Sequence, residues 1–90
     1  MEIVEIVKRN YAAAERRKQI SNKSTVSDFL AKTDEEVQEL KESRKSSSIY
    51  PFDPKEAVDV ILVQFTMLHH YGFDVEKLIV EKMMYNEIRP

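Results

Sequence analysis

Apolar residues recur along this chain at helical spacing, and four segments carry the recurrence. In the first, Ile3, Val7, Tyr11 and Ala14 follow at steps of four, four and three, one face of a helix. The spacing predicts a helix over Glu2–Gln19. Arg16, Arg17 and Lys18 fall in its last turn, where cations favour the negative end of the helix dipole. Ser21–Thr25 is polar and reads as a loop. A second helix is predicted over Ser27–Ser43, with Phe29, Leu30, Val37 and Leu40 as its apolar positions and Thr33 between them. Lys45–Asp53, serine-rich and containing Pro51, reads as a second loop. Asp53, Pro54 and Glu56 mark a helix start: a cap, a proline at the first helical position and an acid three residues after the cap. That third helix runs to Tyr71, where Gly72 closes it. Asp74 then caps a fourth helix over Val75–Ile88.

The third helix is apolar on two sides. At 100° per residue, Val58, Ile61, Leu62, Phe65 and Leu68 form one face, and Val60, Val63 and Met67 lie nearly opposite. A helix with two apolar faces needs cover on both. A chain of 90 residues has little core of its own to provide it. The expectation is an all-α, four-helix bundle forming a single domain, completed by dimerisation with isologous packing.

Composition narrows the class. One glycine and three prolines are few for a β-rich domain with many turns. A net charge of −2 argues against nucleic acid as a partner, because backbone phosphates call for a positive excess. With no cysteine, thiolate metal sites, disulfides and cysteine nucleophiles are excluded together. Met1–Lys8 alternates acidic and apolar residues without a basic start and an apolar run, so it does not read as a secretory leader. No apolar stretch approaches the ~20 residues that span a bilayer. The expectation is a soluble cytoplasmic protein with no membrane partner.

Candidate chemistry resides in the acids. Glu36 and Glu39 on the second helix are spaced i, i+3, as are Glu56 and Asp59 at the start of the third. This spacing puts each pair on one helix face. Glu36 borders the apolar stripe, and Glu56 shares a side with Val60, Val63 and Met67, so these acids point toward packing neighbours. Glu35 points outward. Like charges 4 Å apart repel by about 4 kcal/mol at an effective dielectric of ~20. Four gathered carboxylates therefore need raised pKa values, basic partners or a cation. Hard oxygen ligands suit Mg²⁺ or Mn²⁺. The competing structural reading is plain: Glu-x-x-Glu on a helix is commonly a solvated face, and Glu56 can close a capping box with Asp53.

On the fourth helix, Lys82, Asn86 and Arg89 form a polar stripe able to grip a polyphosphate: Arg by a forked contact, Lys as a point charge, Asn as a neutral donor. His69 and His70 are adjacent in a helix and point about 100° apart. They do not share a metal site; one is expected to pack and the other to be solvated. Tyr11 and Phe29 are read as core residues rather than base-stacking platforms.

Taken together, Glu35-Glu36-x-x-Glu39, then sixteen intervening residues, then Glu56-x-x-Asp59, and finally Lys82-x-x-x-Asn86-x-x-Arg89, resemble the motifs of the MazG-like all-α nucleoside triphosphate pyrophosphohydrolases. The resemblance spans Asp28 to Arg89. It implies a MazG-like four-helix bundle, a homodimer or homotetramer, with Mg²⁺ (or Mn²⁺) held by Glu36, Glu39, Glu56 and Asp59. It implies water attack on a (deoxy)nucleoside triphosphate to give the monophosphate and pyrophosphate, a house-cleaning activity on the nucleotide pool. Glu36 or Glu39 would orient or deprotonate the water, Glu35 would act from behind them, and Lys82, Asn86 and Arg89 would hold phosphates. A dUTP- or dCTP-selective member falls within the resemblance, and two other readings compete. One is a phosphoribosyl-ATP pyrophosphohydrolase-like enzyme, whose usual ending lacks the Lys/Asn/Arg stripe. The other is a non-catalytic helical module that binds a partner protein.

Overall fold

The ends of the first and third helices and the starts of the second, third and fourth each have a local cause. The computed structural model describes residues 1–46 and 50–90. It contains α1 (Ile3–Arg16), α2 (Val26–Ser46), α3 (Pro54–His70) and α4 (Val75–Ile88), with no strand among the described residues. No helix is long and apolar enough to cross a membrane.

The end of α1 comes earlier than periodicity suggests. Lys18 takes a left-handed conformation at φ 60°, and the Gln19 amide reaches back to the Ala14 carbonyl at 3.0 Å. This is the helix closure usually built on glycine. A lysine gives no such signal, so Lys18 and Gln19 lie beyond the helix rather than in its last turn. The end of α3 uses the expected residue: Gly72 sits at φ 79°, with the Phe73 amide on the Leu68 carbonyl at 3.0 Å.

The start of α2 is a reciprocal cap. The Thr25 hydroxyl accepts from the Asp28 amide at 3.3 Å, and the Asp28 carboxylate accepts from the Thr25 amide at 2.8 Å. The helix then extends to Ser46, beyond the expected Ser43; residues 47–49 of the expected serine-rich loop lie outside the described residues. Asp53 caps α3 through the Lys55 amide at 2.9 Å, and Asp74 caps α4 through the Lys77 amide at 3.1 Å.

The small core gathers around α3, which packs on α1, α2 and α4. Val7, Ala14, Phe29 and Val75 are its buried apolar members. Tyr11 and both histidines join this packing. Tyr11 stands edge-on to His69, with centroids 4.8 Å apart. The His70 ring bonds the Tyr11 hydroxyl through Nδ1 and the Ser24 carbonyl through Nε2, both at 2.9 Å. The Ser24 carbonyl only accepts, so Nε2 carries the proton. The expectation that one histidine would be solvated is thus corrected: the α1–α2 loop folds over the end of α3 and uses His70 as its anchor. Leu30, expected on the apolar stripe of α2, is half exposed, because Phe29 takes the inward position.

α4 packs on α1 and α3 and does not touch α2. After Val75 all of its residues are exposed, including Ile79, Val80, Met83, Met84, Tyr85 and Ile88. On α3, Val58 and Ile61 are also open to solvent. An accessible surface of 7068 Å² compares with about 5,500 Å² for a typical monomeric protein of this mass.

Candidate functional site

The capping explanation of Glu56 fails on geometry. Closing a capping box would require its carboxylate to take the Asp53 amide proton. That amide instead donates to the Ser43 hydroxyl on α2 at 3.0 Å, a link that fixes the start of α3 against the end of α2. Glu56 is left free to turn toward α2, and its Oε2 is buried with no hydrogen-bond partner.

Three carboxylates converge here. Glu36, Glu56 and Asp59 each offer an oxygen, and the three oxygens lie within 4.8 Å of one another. Glu36 is buried, and it too has an Oε2 with no partner. Its other oxygen, Oε1, is 3.1 Å from the Lys32 ammonium. Two buried, undonated carboxylate oxygens of like charge at one point are costly unless a cation meets them. A Mg²⁺ ion with ligands at 2.0–2.1 Å spans about 4 Å between opposite oxygens. At most one pair of the three can be opposite and neighbouring ligands stand about 2.9 Å apart, so the donors would draw together around an ion; the all-oxygen set suits a hard divalent ion.

The electrostatics agree. Glu39 lies beside this trio, and its carboxyl is held above the ordinary range. A hydrogen bond with Glu36 is the largest cause, followed by the charge of Glu36, burial, and the charges of Glu56 and Glu35. Glu56 is raised by burial first, then by Asp59, Asp53 and Glu36. For Lys32, burial works against the ammonium. The Glu36 hydrogen bond and the charges of Glu36, Glu35 and Glu39 outweigh it, so its pKa rises. One ammonium against four nearby carboxylates leaves the centre net negative.

The other sequence candidates fall as follows. Glu35 is exposed, 3.6 Å from Lys32. Lys82 and Asn86 are exposed on α4, and Arg89, also exposed, lies just past its end in an extended conformation. Lys82 and Arg89 sit over the Tyr85 ring, 4.8 and 5.9 Å from its centroid. Lys82 and Asn86 border an open groove that also contains Leu68. Leu68 is nine residues along α3 from Asp59, about 13 Å of helix. The cationic stripe and the carboxylates therefore lie toward opposite ends of α3 within one chain. Lys32 is the member of this charged cluster that motif reading missed. Its signal was present as Lys–Glu spacing of i, i+4 on α2.

A cavity of about 160 Å³ opens beside the carboxylates, walled by Asn10, Arg17, Lys32, Glu36, Asp59 and Thr66 among others. Comparison of the chain with known protein families, characterised proteins and solved structures finds no match.

Proposed function

We propose that this chain is a Mg²⁺-dependent pyrophosphohydrolase of (deoxy)nucleoside triphosphates, of the MazG-like kind that its three motifs resemble. The observation carrying the reading is the convergence of Glu36, Glu56 and Asp59 from two helices, with two of their buried oxygens unpartnered. A solvated acidic face has no reason to bury those atoms.

In this reading Glu36, Glu56 and Asp59 hold the metal, with Glu39 completing the set from the exposed edge. Bound Mg²⁺ supplies charge neutralisation on the phosphate oxygens and lowers the pKa of a coordinated water. Lys32 fixes the Glu36 carboxylate through Oε1, which leaves Oε2 directed at the centre. Glu39, an exposed carboxylate of the group, orients the attacking water and takes its proton. Water adds to phosphorus, the phosphoanhydride bond breaks, and pyrophosphate leaves with the electron pair.

The phosphate grip requires a second copy. Lys82, Asn86 and Arg89 lie toward the far end of α3 from their own carboxylates, on or just past a helix that needs cover. The surplus of about 1,600 Å² in one chain is about twice the ~800 Å² that each partner gives to a standard interface, within the range of obligate dimers. Association through α3 and α4 would cover Val58, Ile61, Ile79 and Met83 and deliver the cationic stripe of one protomer to the carboxylates of the other.

The test is pyrophosphate release from canonical and modified triphosphates, with Mg²⁺ and with EDTA, for the wild type and Glu39→Gln. Mg²⁺-dependent release that the variant loses supports the reading. No release from any triphosphate, with no Mg²⁺-induced rise in melting temperature, overturns the reading; release from phosphoribosyl-ATP, tested next, then separates that enzyme class from a binding module.

A further inference from the structure

Two hydrogen-bonded links join α2 to α3, and the carboxylates lie between them. At one end the Asp53 amide donates to the Ser43 hydroxyl at 3.0 Å. At the other, Gln64 Nε2 donates to the Thr33 hydroxyl at 2.8 Å. The two links are built alike. Each hydroxyl belongs to α2 and gives its one proton to its own helix: Ser43 to the Leu40 carbonyl at 2.6 Å, Thr33 to the Phe29 carbonyl at 2.9 Å. With that proton committed, the oxygen can only accept from α3. Ser43 is buried and Thr33 and Gln64 are half-buried, where a hydrogen bond is stronger than in water.

Along α2 the links stand about 15 Å apart, and Glu36 and Glu39 fall between them. On α3, Glu56 and Asp59 fall between Asp53 and Gln64 in the same way. Like charges repel across this span and push the helices apart until a cation arrives. No ion pair joins α2 to α3 among the described residues. The two links are therefore placed on either side of the repulsion they must resist. Ser43 has a second effect. The amide it occupies is the one a capping box would give to Glu56. Without the hydroxyl, that amide would lack its acceptor, and Glu56 is the acid placed to take it and leave the centre.

We infer that Ser43 and the Thr33–Gln64 pair are positioning residues that hold α2 and α3 at the separation the metal needs, and that Ser43 also keeps Glu56 in the centre by occupying the Asp53 amide. The inference rests on the metal-centre part of the pyrophosphohydrolase reading. These residues act through the carboxylates and are not ligands themselves, so their contribution is to metal affinity.

The test is titration calorimetry with Mg²⁺ alone, no nucleotide present. Ser43→Ala, Gln64→Met and Thr33→Val each remove one link and should weaken Mg²⁺ binding at least about tenfold, the lower end of what groups behind a metal ligand are worth. Thr33→Ser keeps the hydroxyl and should restore most of the affinity that Thr33→Val loses. A link that only supports the fold would lower the melting temperature in EDTA and leave the Mg²⁺ affinity of the folded protein unchanged; that result overturns the inference. In EDTA the Asp53 amide should stay protected from hydrogen exchange in Ser43→Ala, and Ser43→Ala/Glu56→Ala should lose that protection. Equal exchange in the two overturns the role given to Ser43 in holding Glu56. If Ser43→Ala does not fold, Gln64→Met and the Thr33 pair still decide the matter. Wild-type binding with unchanged variants overturns this inference alone and leaves the metal centre standing. No Mg²⁺ binding by the wild type overturns both.

Discussion

Glu56 shows how a single residue changes meaning with its surroundings. On sequence grounds it is a metal-ligand candidate with a competing role as the acid that closes a capping box; in the fold Ser43 has taken the amide it would have capped. Its burial beside Asp59 and Glu36 then raises its pKa. Glu39 is raised as well, chiefly by its hydrogen bond with Glu36. Between the ordinary value of 4.5 and these raised values the folded protein holds protons that the unfolded chain has released. Their contribution to stability is fully present below the unfolded pKa and is lost as pH rises through the folded one. In EDTA, the melting temperature should therefore fall between about pH 4.5 and neutrality, and Glu56→Gln should flatten that slope while raising stability at pH 7. Thermal melts across this range check it; a wild-type slope unchanged in the variant would count against repulsion at this centre. With Mg²⁺ present the variant should lose more than about a hundredfold in pyrophosphate release, since even residues supporting a metal ligand are worth 10–100-fold. A gain in stability with a loss of activity is the signature of charges retained for function.

Helix ends carry the argument at the next scale. Lys18 closes α1 in a conformation that favours glycine. Lys18→Gly should therefore stabilise the protein by about 0.5–1 kcal/mol, the relief of Cβ crowding less the added chain entropy. Urea denaturation midpoints decide this, and a destabilised variant would mean the Lys18 side chain itself holds the closure. Thr25→Ala should cost about 1 kcal/mol by removing the cap of α2, measured the same way. The reciprocal Thr25–Asp28 cap and the Gly72 closure follow recognisable sequence rules. The α1 closure does not, because its left-handed residue is a lysine.

Across the whole molecule the unresolved demand is apolar surface. α4 leaves its hydrophobic residues open after Val75, and the chain exposes more area than its mass warrants. Met83→Lys, at an exposed position of α4, costs little in a true monomer. If α4 is an interface, the same substitution should dissociate the assembly and make the wild type's concentration-dependent melting temperature concentration-independent. Sedimentation velocity and dilution-series melts separate the cases. Dissociation should also reduce pyrophosphate release, because Lys82, Asn86 and Arg89 would no longer reach a partner's carboxylates.

The sequence by itself determined the four helices, the caps at Asp53 and Asp74, the glycine stop at Gly72 and the inward side of Glu36. All of these rest on interactions within a few residues, where helical period and capping chemistry are decisive. Only the tertiary structure decided that Glu56 abandons its cap for α2 and that Lys32 braces Glu36. It also decided that His70 ties the α1–α2 loop to α3, and that Gln64 ties α3 to Thr33 of α2. Those outcomes depend on which helix faces which, and on competition for the same amide or carbonyl between partners distant in sequence. No local period encodes such a competition; it is settled when the helices meet.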